Sequence, residues 1–140
     1  MPYSAVFLGL AGLLPFLCMP LAIVTDTLPL PQAARYFTQY SAVLLSFFGG
    51  IHWWDAISHK RFNHQMVVAM LPTITGWLCL VFSGTPLVLG ILSISYLAIL
   101  FYDKYMLALP KSDIMSYMTL RMGLTTVVVL THAWMIALLT

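Results

Sequence analysis

The chain has 140 residues, of which 61% are hydrophobic and only 7% charged; Glu is absent and the formal charge is +2. A soluble domain normally carries roughly 25% charged residues, and a disordered chain is poor in apolar residues and rich in charge, so neither class fits. The length allows one domain, residues 1–140, and six Lys and Arg residues are too few for a nucleic-acid footprint.

A helix crosses the hydrocarbon, about 30 Å thick, with about 20 mostly apolar residues, and five segments approach that pattern. The first, residues 3–25, carries no charge; without a preceding Lys or Arg and with too long an apolar run, it is expected to stay as a span rather than be cleaved as a signal peptide. Pro15 and Pro20 fall inside it and predict kinks whose freed carbonyls are satisfied by neighbouring helices. Residues 26–34, with Pro29 and Pro31, predict a loop. The second span covers residues 36–57, and the third residues 66–82, with Pro72 near its middle. Residues 83–86 form a tight turn by composition, and the fourth span follows over residues 87–102. Residues 103–113, broken at Pro110, lead to a fifth span over residues 120–140, preceded by an interfacial turn from Ile114. None of these runs alternates apolar and polar residues as the strands of a membrane barrel do. The predicted fold is all-α, an integral membrane bundle of five transmembrane helices.

Basic residues concentrate on the cytoplasmic side of a membrane protein. Lys60, Arg61, Lys104, Lys111 and Arg121 share the side of the N-terminus, and only Arg35 lies on the other. The N-terminus is therefore expected in the cytoplasm and the C-terminus in the periplasm. An odd number of spans and the lack of an internal repeat argue against an inverted-repeat transporter.

Ionisable groups within a span are costly, so each invites a functional reading. His52 and Asp55 end the second span, Asp103 closes the fourth and Arg121 opens the fifth, which gathers four such groups from three helices into one inner layer. His52 and Asp55, three apart, share a helical face; Asp103 and Arg121 could form an ion pair between helices. The layer reads either as a candidate binding site for a ligand such as a quinone or lipid, or as structural pairing with side chains snorkelling to headgroups. His132, roughly 16 Å further across at 1.5 Å per residue, reads as a neutral histidine bonded to a hydroxyl or carbonyl. Its depth differs from that of His52, which argues against paired haem ligation. His59 and His64 flank Lys60 and Arg61 in a solvated basic loop with no recognised metal spacing. Cys18 and Cys79 sit in apolar runs and read as fillers. No metal and no catalytic residue is assigned, and a cofactor is left open.

Small residues predict close helix packing: Ala42, Ser46 and Gly50 are spaced by four, with Gly49 beside them, and Ala5, Gly9 and Gly12 repeat the theme on the first span. Trp53, Trp54, Tyr102 and Tyr105 form an aromatic belt at the inner boundary.

The stretch YSAVLLSFFGGIHW at 40–53, with LPTITGW at 71–77 and the Tyr102-Asp103 end of the fourth span, resembles the signature of an uncharacterised membrane family that includes bacterial inner-membrane proteins and mitochondrial transmembrane protein 69. Its sharpest element is Gly49-Gly50-x-His52-Trp53; Trp54 and the basic loop lie outside the pattern. The resemblance implies a compact helical bundle and no particular activity. With no Arg- and Ser-rich transit peptide, a bacterial inner-membrane protein is expected. Three roles remain open: an accessory or assembly subunit of a larger, respiratory-type membrane complex; a binding or transport protein for a lipophilic molecule; and, least supported, an enzyme using His52 and Asp55. The expected partners are the lipid bilayer, other membrane proteins and further copies of the chain.

Overall fold

A computed structural model describes residues 3–83, 85–107 and 111–140, without the side chains of residues 111, 112 and 114. The described residues form six helical segments and no strand: α1 Tyr3–Ala11, α2 Leu14–Val24, α3 Leu30–Ser58, α4 His64–Val81, α5 Pro86–Met106 and α6 Lys111–Leu139. Tight turn residue Gly84 and the predicted breaker Pro110 lie outside the described residues.

Segments α1 and α2 together make the first span. Pro15 has no N–H to give the carbonyl of Ala11 and its ring crowds that carbonyl, so the helix is interrupted at Gly12 and Leu13. The Tyr40 hydroxyl of α3 donates to the Gly12 carbonyl at 2.7 Å. A neighbouring helix thus satisfies one carbonyl at the break, as membrane interiors require.

The second span starts earlier than predicted. Pro29 caps α3, and Pro31 lies within its first turn, where a missing N–H costs nothing because that donor has no intrahelical partner. The fifth also starts earlier, since α6 runs continuously from Lys111 and replaces the expected interfacial turn.

Among the described residues, four spans are long and apolar enough by themselves to cross a membrane: Tyr3–Val24, His64–Val81, Pro86–Met106 and Met115–Leu139. Helix α3 falls outside that set although its 29 residues suffice in length. The reason is its place in the bundle, where it packs against α2, α4, α5 and α6. Four of its polar residues, Thr38, Ser41, His52 and Asp55, are buried within the bundle. The lipid-facing side of the bundle is instead apolar, with Phe7, Phe47, Trp77, Leu87, Phe101 and Leu130 all exposed. The apolar core centres on Phe16, Phe37, Leu45, Leu92, Tyr96 and Met135.

Small residues set the closest approach. A Cβ on Gly49 would stand 2.5 Å from the Ala69 carbonyl oxygen, and one on Gly76 would stand 2.8 Å from that of Ala42. Ala42 and Gly49 are seven residues apart and face α4 together. Ser46 bonds back to the Val43 carbonyl, and Gly50 has open space at its Cβ position. Two of the four predicted packing residues therefore meet a helix of the same chain in this contact.

Candidate functional site

The helix ends nearest the 59–64 loop, here called the basic end, carry the ionisable layer. Helices α3 and α5 finish there and α4 and α6 begin there, so His52, Asp103, Gln65 and Arg121 reach one level from four directions. All four are buried, Arg121 to 2% exposure, and Asp55 to 8%.

Asp103 is the hub. Its Oδ2 accepts from Arg121 Nε at 3.0 Å and Nη2 at 2.9 Å, and its Oδ1 lies 2.5 Å from His52 Nε2. Gln65 Nε2 donates to His52 Nδ1 at 3.1 Å and to Asp55 Oδ2 at 2.9 Å. With Nδ1 accepting, the His52 proton sits on Nε2 and points at Asp103. Asp55 is also paired with Arg61 and lies 3.4 Å from His59 Nδ1. Arg61 Nη1 continues to the Met106 carbonyl at 2.9 Å. The result is one hydrogen-bonded chain from Arg121 through Asp103, His52, Gln65 and Asp55 to Arg61. Two carboxylates meet two guanidinium groups around a neutral imidazole. Such balance is what makes buried charge tolerable, because an unpaired ion in this setting costs several kcal/mol.

All four candidate residues from the sequence are joined here, and the predicted Asp103–Arg121 ion pair is present. Asp103 and Arg121 are paired with each other inside the bundle, and Asp55 keeps a small exposure of 8%. In the basic loop His59, Lys60 and His64 are exposed, as a solvated loop requires, and Arg61 alone is half-buried. Lys60 takes a left-handed conformation, φ 54°, and the Arg61 N–H bonds to the Ala56 carbonyl at 2.8 Å. This helix-ending turn folds Arg61 back onto Asp55, while His64 Nδ1 meets the Tyr102 hydroxyl at 2.8 Å. Tyr102 also packs against His52, ring centres 4.8 Å apart; Trp53, Trp54 and Tyr105 face outward as a belt should.

Gln65 was missed because it is uncharged and sits at the edge of a predicted loop. Asn63 was the available signal: it is a helix-capping residue type, its side chain does accept the Gln65 N–H at 3.1 Å, and a helix starting at His64 brings Gln65 to the level of His52.

His132 belongs to a separate cluster further along the bundle. Its Nε2 lies 2.7 Å from the Ser41 hydroxyl and its Nδ1 2.7 Å from the Val128 carbonyl, so it has both a hydroxyl and a carbonyl partner. The Tyr96 hydroxyl donates to the Ser41 carbonyl at 2.6 Å, and Phe16 and Phe37 enclose the imidazole. Ser41 and His132 are both fully buried, which leaves this pair no approach for a substrate.

The ionised chain meets open space at Arg121. A cavity of about 410 Å³ lies between α1, α3 and α6, lined chiefly by apolar side chains, with Tyr96, Tyr117, Arg121 and Thr125 as its polar residues. The Arg121 guanidinium stacks over the Phe48 ring at 3.7 Å, and its Nη1 makes a 3.4 Å contact with Thr125. Of the residues in the chain from Arg121 to Arg61, Arg121 alone lines this cavity. Two grooves between α4 and α5, about 290 and 550 Å³, are lined by no charged residue. Among the described residues no three His, Cys, Asp or Glu side chains group as metal ligands.

The chain is similar to transmembrane protein 69 of Xenopus tropicalis, 34% identical over 111 residues, which is 76% of this chain and 44% of that protein. It is equally similar, 34% over 86 residues, to transmembrane protein 69 of Mus musculus, covering 59% of this chain and 35% of that protein. The chain thus spans less than half the length of these curated relatives. No solved structure matches it. With apolar helices throughout and relatives of this kind, the chain is a multi-pass membrane protein. Residues 1–137 match the family described as "Protein of unknown function (DUF3429)", and the chain belongs to that family.

Proposed function

We propose that the protein binds a small lipophilic molecule drawn from the bilayer, in the cavity between α1, α3 and α6. The supporting observation is the junction at Arg121, where a charge-balanced polar chain ends on an apolar cavity. A cavity of about 410 Å³ falls within the range of roughly 300–1,000 Å³ used by small-molecule sites, which pair apolar walls with few polar groups. In this reading His52, Asp55 and Asp103 hold Arg121 in place, and Arg121 alone of the four faces the ligand. The membrane is a bacterial inner membrane, with the basic end and N-terminus cytoplasmic and the C-terminus periplasmic; five of the six basic residues support that direction.

The test is purification in mild detergent followed by extraction of what remains bound. An apolar small molecule should be retained by the parent and lost from Leu8→Trp, which fills the mouth of the cavity from exposed Leu8. Equal retention by both proteins, or nothing retained beyond ordinary bilayer lipid, would sink the idea.

An accessory or assembly role in a larger, respiratory-type membrane complex is the second reading. It is favoured by Gly50 and Gly123, at which an added Cβ would meet nothing within 4 Å. Gly50 shares its exposed stripe with Phe47 and Trp54, and such glycines let a foreign helix approach closely. Affinity purification should then recover a larger partner from the parent and less of it from Gly50→Leu. Recovery of the chain alone, or of further copies only, counts against it.

A further inference from the structure

We infer that the cavity at Arg121 takes a lipoquinone-class ligand, an uncharged planar ring whose carbonyl oxygen accepts hydrogen bonds from Tyr117 Oη and Arg121 Nη1. The inference rests on the binding role proposed above and specifies the chemistry of its ligand.

Charge comes first. The Arg121 guanidinium is already matched by Asp103 through two hydrogen bonds. A carboxylate or phosphate entering the cavity would therefore leave a surplus negative charge inside the membrane, where an uncompensated ion is strongly disfavoured. A ligand cation would stand beside a guanidinium. An uncharged head preserves the balance.

Hydrogen-bonding capacity narrows the class further. The Tyr117 hydroxyl is buried beside Arg121, yet makes no hydrogen bond of regular geometry among the described residues. Arg121 Nη1 makes a long contact to Thr125 at 3.4 Å. Guanidinium N–H groups only donate, and a phenol whose oxygen turns to the guanidinium still has its O–H to donate. Both residues line the cavity and both groups can donate, and a ligand oxygen with lone pairs is their complement. A buried donor left unmade carries a penalty, so a carbonyl oxygen gains where a hydrocarbon would not.

Shape selects among neutral carbonyl compounds. Phe47, Phe48, Tyr96 and Tyr117 are among the residues lining the cavity, walls suited to offset or edge contacts with a flat ring. A diacyl lipid would bring two chains and a charged phosphate a few bonds from its ester, which the first argument disfavours. The apolar remainder of the cavity, along Leu8 and Leu124, accommodates the start of an alkyl or isoprenoid tail.

The experiment uses the full chain in phosphatidylcholine nanodiscs, with a decyl-substituted benzoquinone, palmitate and dioleoylglycerol as probes. The quinone should bind most tightly, and its carbonyl stretching band should shift to lower frequency in the complex. Tyr117→Phe should weaken quinone binding about tenfold, as loss of one hydrogen bond predicts, and should reverse much of the band shift. Leu8→Trp should abolish binding. Preference for palmitate or dioleoylglycerol, blocked by Leu8→Trp, overturns the quinone assignment and leaves the binding cavity standing. Quinone binding unchanged in affinity and band position by Tyr117→Phe overturns the carbonyl contact. If no probe binds, or Leu8→Trp leaves all binding intact, the cavity reading fails with it.

Discussion

The cluster at the basic end is ionised at both poles, Asp103 with Arg121 and Asp55 with Arg61, whereas the cluster around His132 joins Ser41, Tyr96 and a backbone carbonyl without an ion pair. Both are buried and both cross-link α3 to α5 and α6. A neutral cluster contributes modestly, about 1 kcal/mol per hydrogen bond, and its partners can be replaced together by apolar groups at little cost. A charged cluster is expensive to build and expensive to break, and packed hydrophobes could often match it for stability. Ions lie at one end and hydroxyls in the other half, and both clusters touch the cavity: the neutral one through Tyr96, the charged one through the Arg121 guanidinium.

The comparison breaks most directly at Asp103. Asp103→Asn keeps the shape but leaves Arg121 buried without its counter-charge, a change expected to cost about 3–5 kcal/mol. Thermal unfolding in detergent should show it, and Asp103→Leu combined with Arg121→Leu should recover most of the loss. If Asp103→Asn unfolds like the parent, the charged cluster is not the ion-balanced unit described. Ser41→Ala tests the neutral cluster and should cost about 1–3 kcal/mol, because it strands one buried His132 nitrogen. Adding His132→Phe should bring stability back towards the parent, and an undiminished loss in the double variant would mean that His132 has another role.

Within the charged cluster, exposure should grade the effects. The Arg61 side chain is 28% exposed against 3% for Arg121, so water screens its pair with Asp55. Arg61→Gln should then cost no more than about 1 kcal/mol. A loss as large as that of Asp103→Asn would place the two ends of the chain on an equal footing.

Residue depth and type were enough to gather His52, Asp55, Asp103 and Arg121, because each is too costly in lipid to be accidental and helix rise fixes its level. What they bond to was not legible. Gln65 carries no charge to mark it, and Arg61 looked solvated because a left-handed Lys60 cannot be foreseen from a residue that rarely adopts that backbone. The membrane spans were readable from hydrophobicity, except that α3 owes its place to polar groups buried within the bundle. Small-residue spacing singled out Ala42 and Gly49, which stand against α4, together with Ser46 and with Gly50, where an added Cβ would meet nothing within 4 Å. The α1–α3–α6 cavity left no trace in sequence, since its walls come from segments far apart in the chain.

The smallest expected effect concerns how the exposed end of the charged cluster is held. Lys60 sits at φ 54°, a region disfavoured for a side chain bearing a Cβ and natural for glycine. Lys60 N–H bonds to the Ile57 carbonyl at 3.2 Å and Arg61 N–H to that of Ala56 at 2.8 Å, the paired closure in which glycine is the usual residue. Lys60→Gly relieves the local strain but adds freedom to the unfolded chain, which offsets part of the gain. The net expectation is stabilisation of up to about 1 kcal/mol, read as a small rise in the unfolding midpoint. If the turn is what brings Arg61 onto Asp55, that rise should shrink in an Arg61→Gln background; an equal rise in both backgrounds would detach the turn from the cluster. The outcome also bears on direction across the bilayer, since removing the Lys60 charge without disturbing the turn tests how much of the basic end's asymmetry is needed for insertion. Four of the five basic residues on that side remain in Lys60→Gly, so the orientation should hold while the fold gains.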